Sequence, residues 1–316
     1  MTPAQAPLAP FTTPELKALL RDGSLEDLAL GCRRAEAEDR LDRLRLIQER
    51  LLSVLPAPQP LPVVLANADV LLGCRQPEAA LTVLDRISPA AGAERVQWLL
   101  MQWRAADAAL DHRRASFALQ RLTASRPERL EGLLLPLQRR DDGSVVSRPA
   151  IDLLAEHLRA RGFPRAAAEL LLASRDSGVA GAERRLLAVR ELRRLPAAER
   201  EALLESALEQ AAAAGAWGLV AELLDAQAAL PSSRALERRL RLSPRIDDAY
   251  GEWLLRQRDP ASAGRSADLE RRLRSPRAAG GHNPDPPPAA PAPPGQAAGS
   301  GPPPGASTLP PLSPLP

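Results

Sequence analysis

A small residue followed by larger apolar ones four and seven places later recurs along this chain, and that recurrence restricts it to stacked helices. Ala80, Leu84 and Ile87 hold these offsets, and Ala115, Leu119 and Leu122 hold them again 35 positions later. Ala167, Leu171 and Ser174 repeat the frame, with Gly162 five residues before the alanine, and Gly215, Val220 and Leu224 form a weaker fourth copy. Residues spaced by four and seven share one helix face. A small one lets a partner helix come close, and the larger ones fill the gap beyond it. Self-similarity at this spacing is the signature of helix pairs stacked around a continuous core.

Composition agrees. Of 316 residues, 45% are hydrophobic but only 3% aromatic, so alanine and leucine must fill the interior, which favours helix over sheet. Basic and acidic side chains, 42 and 39, nearly cancel, and interleaved charge of this kind belongs to solvated helix faces. Lys17 is the only lysine. Because Ala, Pro and Gly are also abundant, this arginine bias carries no message about phosphate or carboxylate recognition. Only between Arg234 and Arg277 does one sign dominate, with twelve arginines against seven carboxylates.

A pass along the chain predicts five stretches. Residues 1–12 read as disordered. Residues 13–56 hold amino-terminal helices: Thr13 caps a short one ending at Gly23, and Ser24 opens one long helix closed by Pro56. Residues 61–258 form the repeat region, entered through the Pro56, Pro58, Pro60 and Pro62 connector. Its hairpins pair Val64, Ala68 and Leu71 with Ala80 and Leu84; Leu99, Trp103 and Ala106 with Ala115 and Leu119; and Ile151, Leu154 and Leu158 with Ala167 and Leu171. A further helix is expected from about Arg129 to Leu137, followed by a turn at Asp141, Asp142, Gly143 and Ser144. Helices continue to Arg256. Residues 259–275 read as a basic short helix or linker. Residues 276–316 carry 15 of the 33 prolines and no apolar period, which predicts a disordered tail of polyproline character. The fold class expected is all-α: an irregular α-solenoid of stacked hairpins with that tail.

Leu154, Ala155, Leu158, Gly162, Ala167 and Leu171 resemble a tetratricopeptide repeat, with its large, small, large, glycine, small and large consensus. Ala115, Leu119, Leu122 and Pro127 are similar to that family's second helix and closing proline. The pattern departs at Trp103 and Leu208, where the family prefers small residues, at Asn67, where it prefers a large one, and in the 52-residue step from Ala115 to Ala167. The chain as a whole also resembles helical proteins of cyanobacteria to which no activity is attached. The tetratricopeptide likeness implies a groove lined by the first helix of each pair. It would display Asp69, Arg104, Asp107, Asp152, Glu156, Arg159, Glu205 and Glu209 as candidate partner-binding residues. Signs are mixed there, with no basic clamp for an acidic peptide terminus, which points to a polar or basic ligand segment.

Chemistry is sparse. His112, His157 and His282 have no partners at metal-ligand spacing, and His157 is expected on the exposed side of its helix. No glycine-rich loop leads from a strand into a helix, and Gly299, Ser300 and Gly301 lack the strand and helix of a nucleophile elbow. No catalytic residue, cofactor or metal is therefore expected. Cys32 and Cys74 share no CxxC spacing and read as buried reduced thiols, which fits a cytoplasmic location. The amino terminus lacks a basic start and an apolar stretch, and no apolar run is long enough to span a membrane. Trp103 and Trp217 fall at core spacing, whereas Trp253 lies beside Tyr250 and Arg256.

Two functions follow. One is a non-enzymatic protein-protein interaction scaffold or adaptor that uses the helical groove. The alternative is an RNA- or anionic-membrane-surface binder that uses the basic 234–277 segment through Arg238, Arg239, Arg241, Arg256 and Arg258. Partner identity and oligomeric state are not encoded in any motif.

Overall fold

The computed structural model describes residues 11–53, 59–124, 126–140, 142–230, 233–258 and 264–274. Of the ends expected to be disordered, 1–12 and 276–316, only Phe11 and Thr12 fall among the described residues, where Phe11 is buried and Thr12 caps a helix. Within the described residues the chain is an irregular helical solenoid. The amino-terminal helices are α1 (Thr13–Asp22), α2 (Leu25–Ala37) and α3 (Leu41–Ser53). The next four are α4 (Leu61–Gly73), α5 (Pro77–Leu84), α6 (Ala93–Ala108) and α7 (His112–Thr123). A short α8 (Pro127–Gly132) leads into strands β1 (Leu134–Arg139) and β2 (Val145–Pro149). Then come α9 (Ala150–Ala160), α10 (Pro164–Leu172), α11 (Gly178–Glu191), α12 (Ala197–Ala213) and α13 (Trp217–Ala228). The last are α14 (Ser233–Leu242), α15 (Ala249–Arg258) and α16 (Ser266–Arg274).

Five hairpins share one turn, which the α14–α15 connection repeats at Asp247, with φ of 58° and the Asp248 amide donating to the Ser243 carbonyl at 2.9 Å. Asp39, Arg75, Leu110, Gly162 and Gly215 each adopt a left-handed backbone, with φ of 52°, 57°, 57°, 82° and 68°. The amide that follows each one donates back to the carbonyl five residues earlier, as in Gln76 to Leu71, Asp111 to Ala106 and Phe163 to Leu158 at 2.8–2.9 Å. This is a Schellman closure, which satisfies carbonyls orphaned at the helix end and reverses the chain. It joins α2 to α3, α4 to α5, α6 to α7, α9 to α10 and α12 to α13. The buried alanines named from the sequence, Ala80, Ala115 and Ala167, all stand on return helices, where they let the first helix approach.

Several expectations are corrected. The single long helix from Ser24 to Pro56 is two helices, because Asp39 turns the chain within the charged stretch Glu36 to Arg40. The cap of α1 is Thr12, whose side chain accepts from the Glu15 amide in a capping box. The helix expected from Arg129 to Leu137 stops at Gly132 and gives way to an antiparallel ladder pairing Leu134 with Pro149 and Leu135 with Arg148. The turn between these strands falls where the sequence placed it. Gly143 has φ of 84°, and Asp142 Oδ1 accepts from the Ser144 amide at 2.8 Å.

Cys32 and Cys74 are not free thiols: they form a disulfide that joins α2 to the end of α4. Around it, Gln48 of α3 donates to the Cys74 carbonyl at 3.1 Å, and Asn67 of α4 donates to the Leu51 carbonyl at 3.1 Å. Asn67 is fully buried. It stands where the resemblance prefers a large residue because it satisfies a carbonyl in the last turn of α3.

The helices of the hairpins fall into two ranks, and α2 meets α4, α4 meets α6 and α11 meets α13. Among the described residues no contact of that extent joins one return helix to the next. Apolar side chains form two clusters, one from Phe11 to Ala188 and one from Ala182 to Leu230, which divide at α11. That helix is an insertion between two hairpins. It is tied to α9 through Arg184–Asp152 and Arg159–Glu191 and meets α13, which leaves α12 on the return side.

Candidate functional site

A concavity of about 380 Å³ opens where α9, α10 and α11 meet β2. Its floor comes from the repeat frame itself: Ala155, Ala167 and Leu171 are small or apolar and buried. Its rim is polar, and each rim arginine is held by a carboxylate from a different element. Arg148 of β2 makes a two-pronged pair with Glu156 of α9, at 2.5 and 3.1 Å. Arg159 of α9 lies 3.7 Å from Glu191 of α11. Arg184 of α11 donates through Nε to Asp152 of α9 at 2.7 Å.

Arg184 is the anchor of this wall. Only 2% of it is exposed, yet it also donates to Ser174 Oγ at 2.7 Å and to Asp176, both in the α10–α11 connection. Burial works against its charge, but the hydrogen bonds to Asp152 and Asp176 outweigh that and hold its pKa above the ordinary value. Hydrogen bonding to Glu156 likewise raises the pKa of Arg148. Glu183, exposed on the lip, makes no ion pair among the described residues, so the rim holds four carboxylates and three guanidinium groups.

The eight candidate residues are distributed unevenly. Asp152, Glu156 and Arg159 line this cleft together. Asp69 and Arg104 are paired with each other at 2.6 Å, linking α4 to α6 farther along the first rank. Asp107 of α6 sits 3.8 Å from His157 Nε2. Glu205 and Glu209 belong to α12, on the other side of the inserted helix. Glu205 accepts from Gln227 at 2.6 Å and Arg238 at 2.7 Å, hydrogen bonds that lower its pKa against the raising effect of burial. Glu209 is exposed.

Sequence reasoning missed Arg148, Arg184 and Glu191. Arg148 stands on an unforeseen strand and Glu191 on the inserted helix, so neither occupies a repeat position. His157 was misplaced: it is 3% exposed, with Nδ1 3.1 Å from His112 Nδ1. Those two histidines are 45 positions apart, and only the fold brings them together.

The basic segment is largely engaged. Arg239 is buried and donates to Asp225 at 3.0 Å, Asp248 at 2.5 Å and Ser243 Oγ at 2.6 Å, an arrangement of the same kind as that around Arg184. Arg238 pairs with Glu205, and Arg256 and Arg265 both meet the buried Glu252. Arg241 is exposed, and the side chain of Arg258 lies outside the described residues. Tyr250 stacks on Trp253 with ring centres 6.1 Å apart. Trp103 is buried, as its spacing suggested.

Among the described residues no group of three or more His, Cys, Asp or Glu side chains could hold a metal ion. No helix among them is long and apolar enough to cross a membrane. No protein-family model matches the chain, and no curated protein matches it.

Proposed function

We propose that the protein is a non-enzymatic adaptor whose α9–α11 cleft receives an extended polar or basic segment of a partner protein. The observation that carries this reading is the build of the cleft: an apolar floor that can take small side chains, and a rim on which Arg148 and Arg184 are hydrogen-bonded to carboxylates, Arg159 lies near Glu191 and Glu183 is left as an unpaired carboxylate. Preformed charge pairs cost little to organise on binding, and such rims govern association rate and specificity more than affinity. A likeness to tetratricopeptide repeats would fit this use of the first-rank surface. The rival reading, an RNA- or anionic-lipid-binding face at 234–277, is less well served, because Arg238, Arg239 and Arg256 already satisfy carboxylates of their own chain.

The cytoplasmic expectation rested partly on two reduced thiols. The Cys32–Cys74 bond removes that support and fits an oxidising compartment instead, since such bonds persist there.

Fluorescence anisotropy of the full chain with labelled Lys/Arg-containing, neutral and acidic peptides tests the adaptor reading. Basic peptides should bind best, and Glu183→Arg should weaken them selectively. Reversing Glu156 and Arg159 together should abolish the preference. Equal binding by that double variant would overturn the cleft assignment. Asp152 is unsuitable for reversal, because it holds Arg184. Strong salt-sensitive binding of RNA or anionic vesicles by the unaltered chain would favour the rival.

A further inference from the structure

Three side chains at the junction of α6, α7 and α9 form a chain whose hydrogens are fixed by one donor. Trp103 of α6 can only donate, and its Nε1 points at His157 Nε2 at 3.4 Å. His157 Nε2 must therefore be the bare nitrogen, which puts the proton on Nδ1. That Nδ1–H faces His112 Nδ1 of α7 at 3.1 Å, so His112 must accept there and carry its own proton on Nε2. Both imidazoles are neutral in this arrangement, and no other assignment satisfies both bonds.

We propose that the Trp103–His157–His112 chain is a proton-sensitive latch holding the hairpin α6–α7 against α9. A proton added to His157 lands on Nε2 and opposes the Trp103 N–H. A proton added to His112 lands on Nδ1 and opposes the His157 Nδ1–H. The charged groups around the pair are few. Asp107 of α6 is 3.8 Å from His157 Nε2, where it would draw a protonated ring away from Trp103. Glu156 adjoins His157 on α9 and is neutralised by Arg148 of β2. Arg161, at the end of α9, is engaged with Ser116 Oγ of α7 at 2.8 Å. Asp111 caps α7 beside His112 through the Arg114 amide. No charged group of α8 or α10 enters the network among the described residues.

Burial lowers the His157 pKa, and the neighbouring His112 lowers it further, against the raising effects of Asp107 and Glu156. An unfolded histidine titrates near about 6.5. The unfolded chain therefore binds this proton at a higher pH than the folded one. The latch contributes fully above about pH 6.5, and its contribution is lost as pH falls from there through the lowered folded value.

The test is nitrogen-detected NMR of the full chain, which contains only three histidines. At about pH 7.5, His157 should show Nδ1–H and a bare Nε2, with titration below the ordinary value. Denaturant midpoints should fall between about pH 7.5 and 5.5. His112→Asn, which keeps an acceptor but does not titrate, should retain the neutral-pH midpoint and lessen the fall. His112→Lys should lower the midpoint already at neutral pH. A proton on His157 Nε2 at neutral pH, a flat midpoint across that range, or an unchanged fall in His112→Asn would each overturn the proposal. The NMR result decides even if a variant fails to fold.

Discussion

Arg184 and Asp152 lie 32 positions apart in sequence and face each other at 2.7 Å, so that a buried guanidinium on the inserted α11 is held by a carboxylate on α9. The partners are more exposed than the arginine, whose side chain is 3% exposed against 22% for Asp152 and 43% for Asp176. The two ends of this bridge therefore respond differently to mutation.

Replacing Arg184 with alanine leaves carboxylates that water can reach, together with an empty space. A loss of about 2–3 kcal/mol is expected, below the cost of stranding a fully buried ion. Arg184→Met, which fills the space without charge, should recover at least half of it. Asp152→Asn leaves the guanidinium buried with one anion fewer and should cost about as much as Arg184→Ala. Urea denaturation of the three variants checks the order.

The shared hairpin turn allows a reciprocal experiment. Leu110 occupies, with φ of 57°, the place that Gly162 fills with φ of 82°, and Leu110 is largely exposed. A side chain in this conformation costs about 1 kcal/mol or more, which glycine avoids. Leu110→Gly should be neutral or stabilising by up to about 1 kcal/mol, whereas Gly162→Ala should destabilise by about 1 kcal/mol. Nothing lies within 4 Å of where a Gly162 Cβ would stand, so backbone strain alone sets the second value. Thermal melting of both variants gives the comparison.

The disulfide closes a sequence separation of 42 residues. A loop of that length removes unfolded-state entropy worth up to about 4 kcal/mol. Cys32→Ala and Cys74→Ala should each lower the melting temperature by a similar amount, and the double variant should lose little more. A reductant should shift the unaltered chain in the same direction and leave the variants unmoved. Mass spectrometry of the alkylated chain, before and after reduction, reports the bond directly.

Most of the hairpins were legible because their signals are local. Val64, Ala68 and Leu71, or Ile151, Leu154 and Leu158, mark a face within a few turns of one helix. The turns were legible only where glycine spells them, at 162 and 215; Asp39, Arg75 and Leu110 take the same conformation without announcing it. Hence the long helix expected through Asp39 is broken. Leu133 to Leu137 read as helix because an apolar run is ambiguous until its partner strand is known, and Leu135 finds Arg148 only across a hairpin. Within the cleft, Asp152, Glu156 and Arg159 had been named through the tetratricopeptide likeness. Their partners Arg148, Arg184 and Glu191 did not, since each comes from an element outside the repeat.

The inserted helix α11 also has a consequence downstream. Where a single helix joins the first rank, as α11 does, the order of front and back in the hairpin that follows is exchanged. With α11 in place, α12 turns to the back and α13 to the front, so the α12–α13 hairpin presents the opposite helix to the first rank from the one its own sequence frame specifies. Neighbouring hairpins of similar sequence therefore need not offer similar surfaces, and transferring a binding residue from one to the next by alignment alone would put it on the wrong side of the protein.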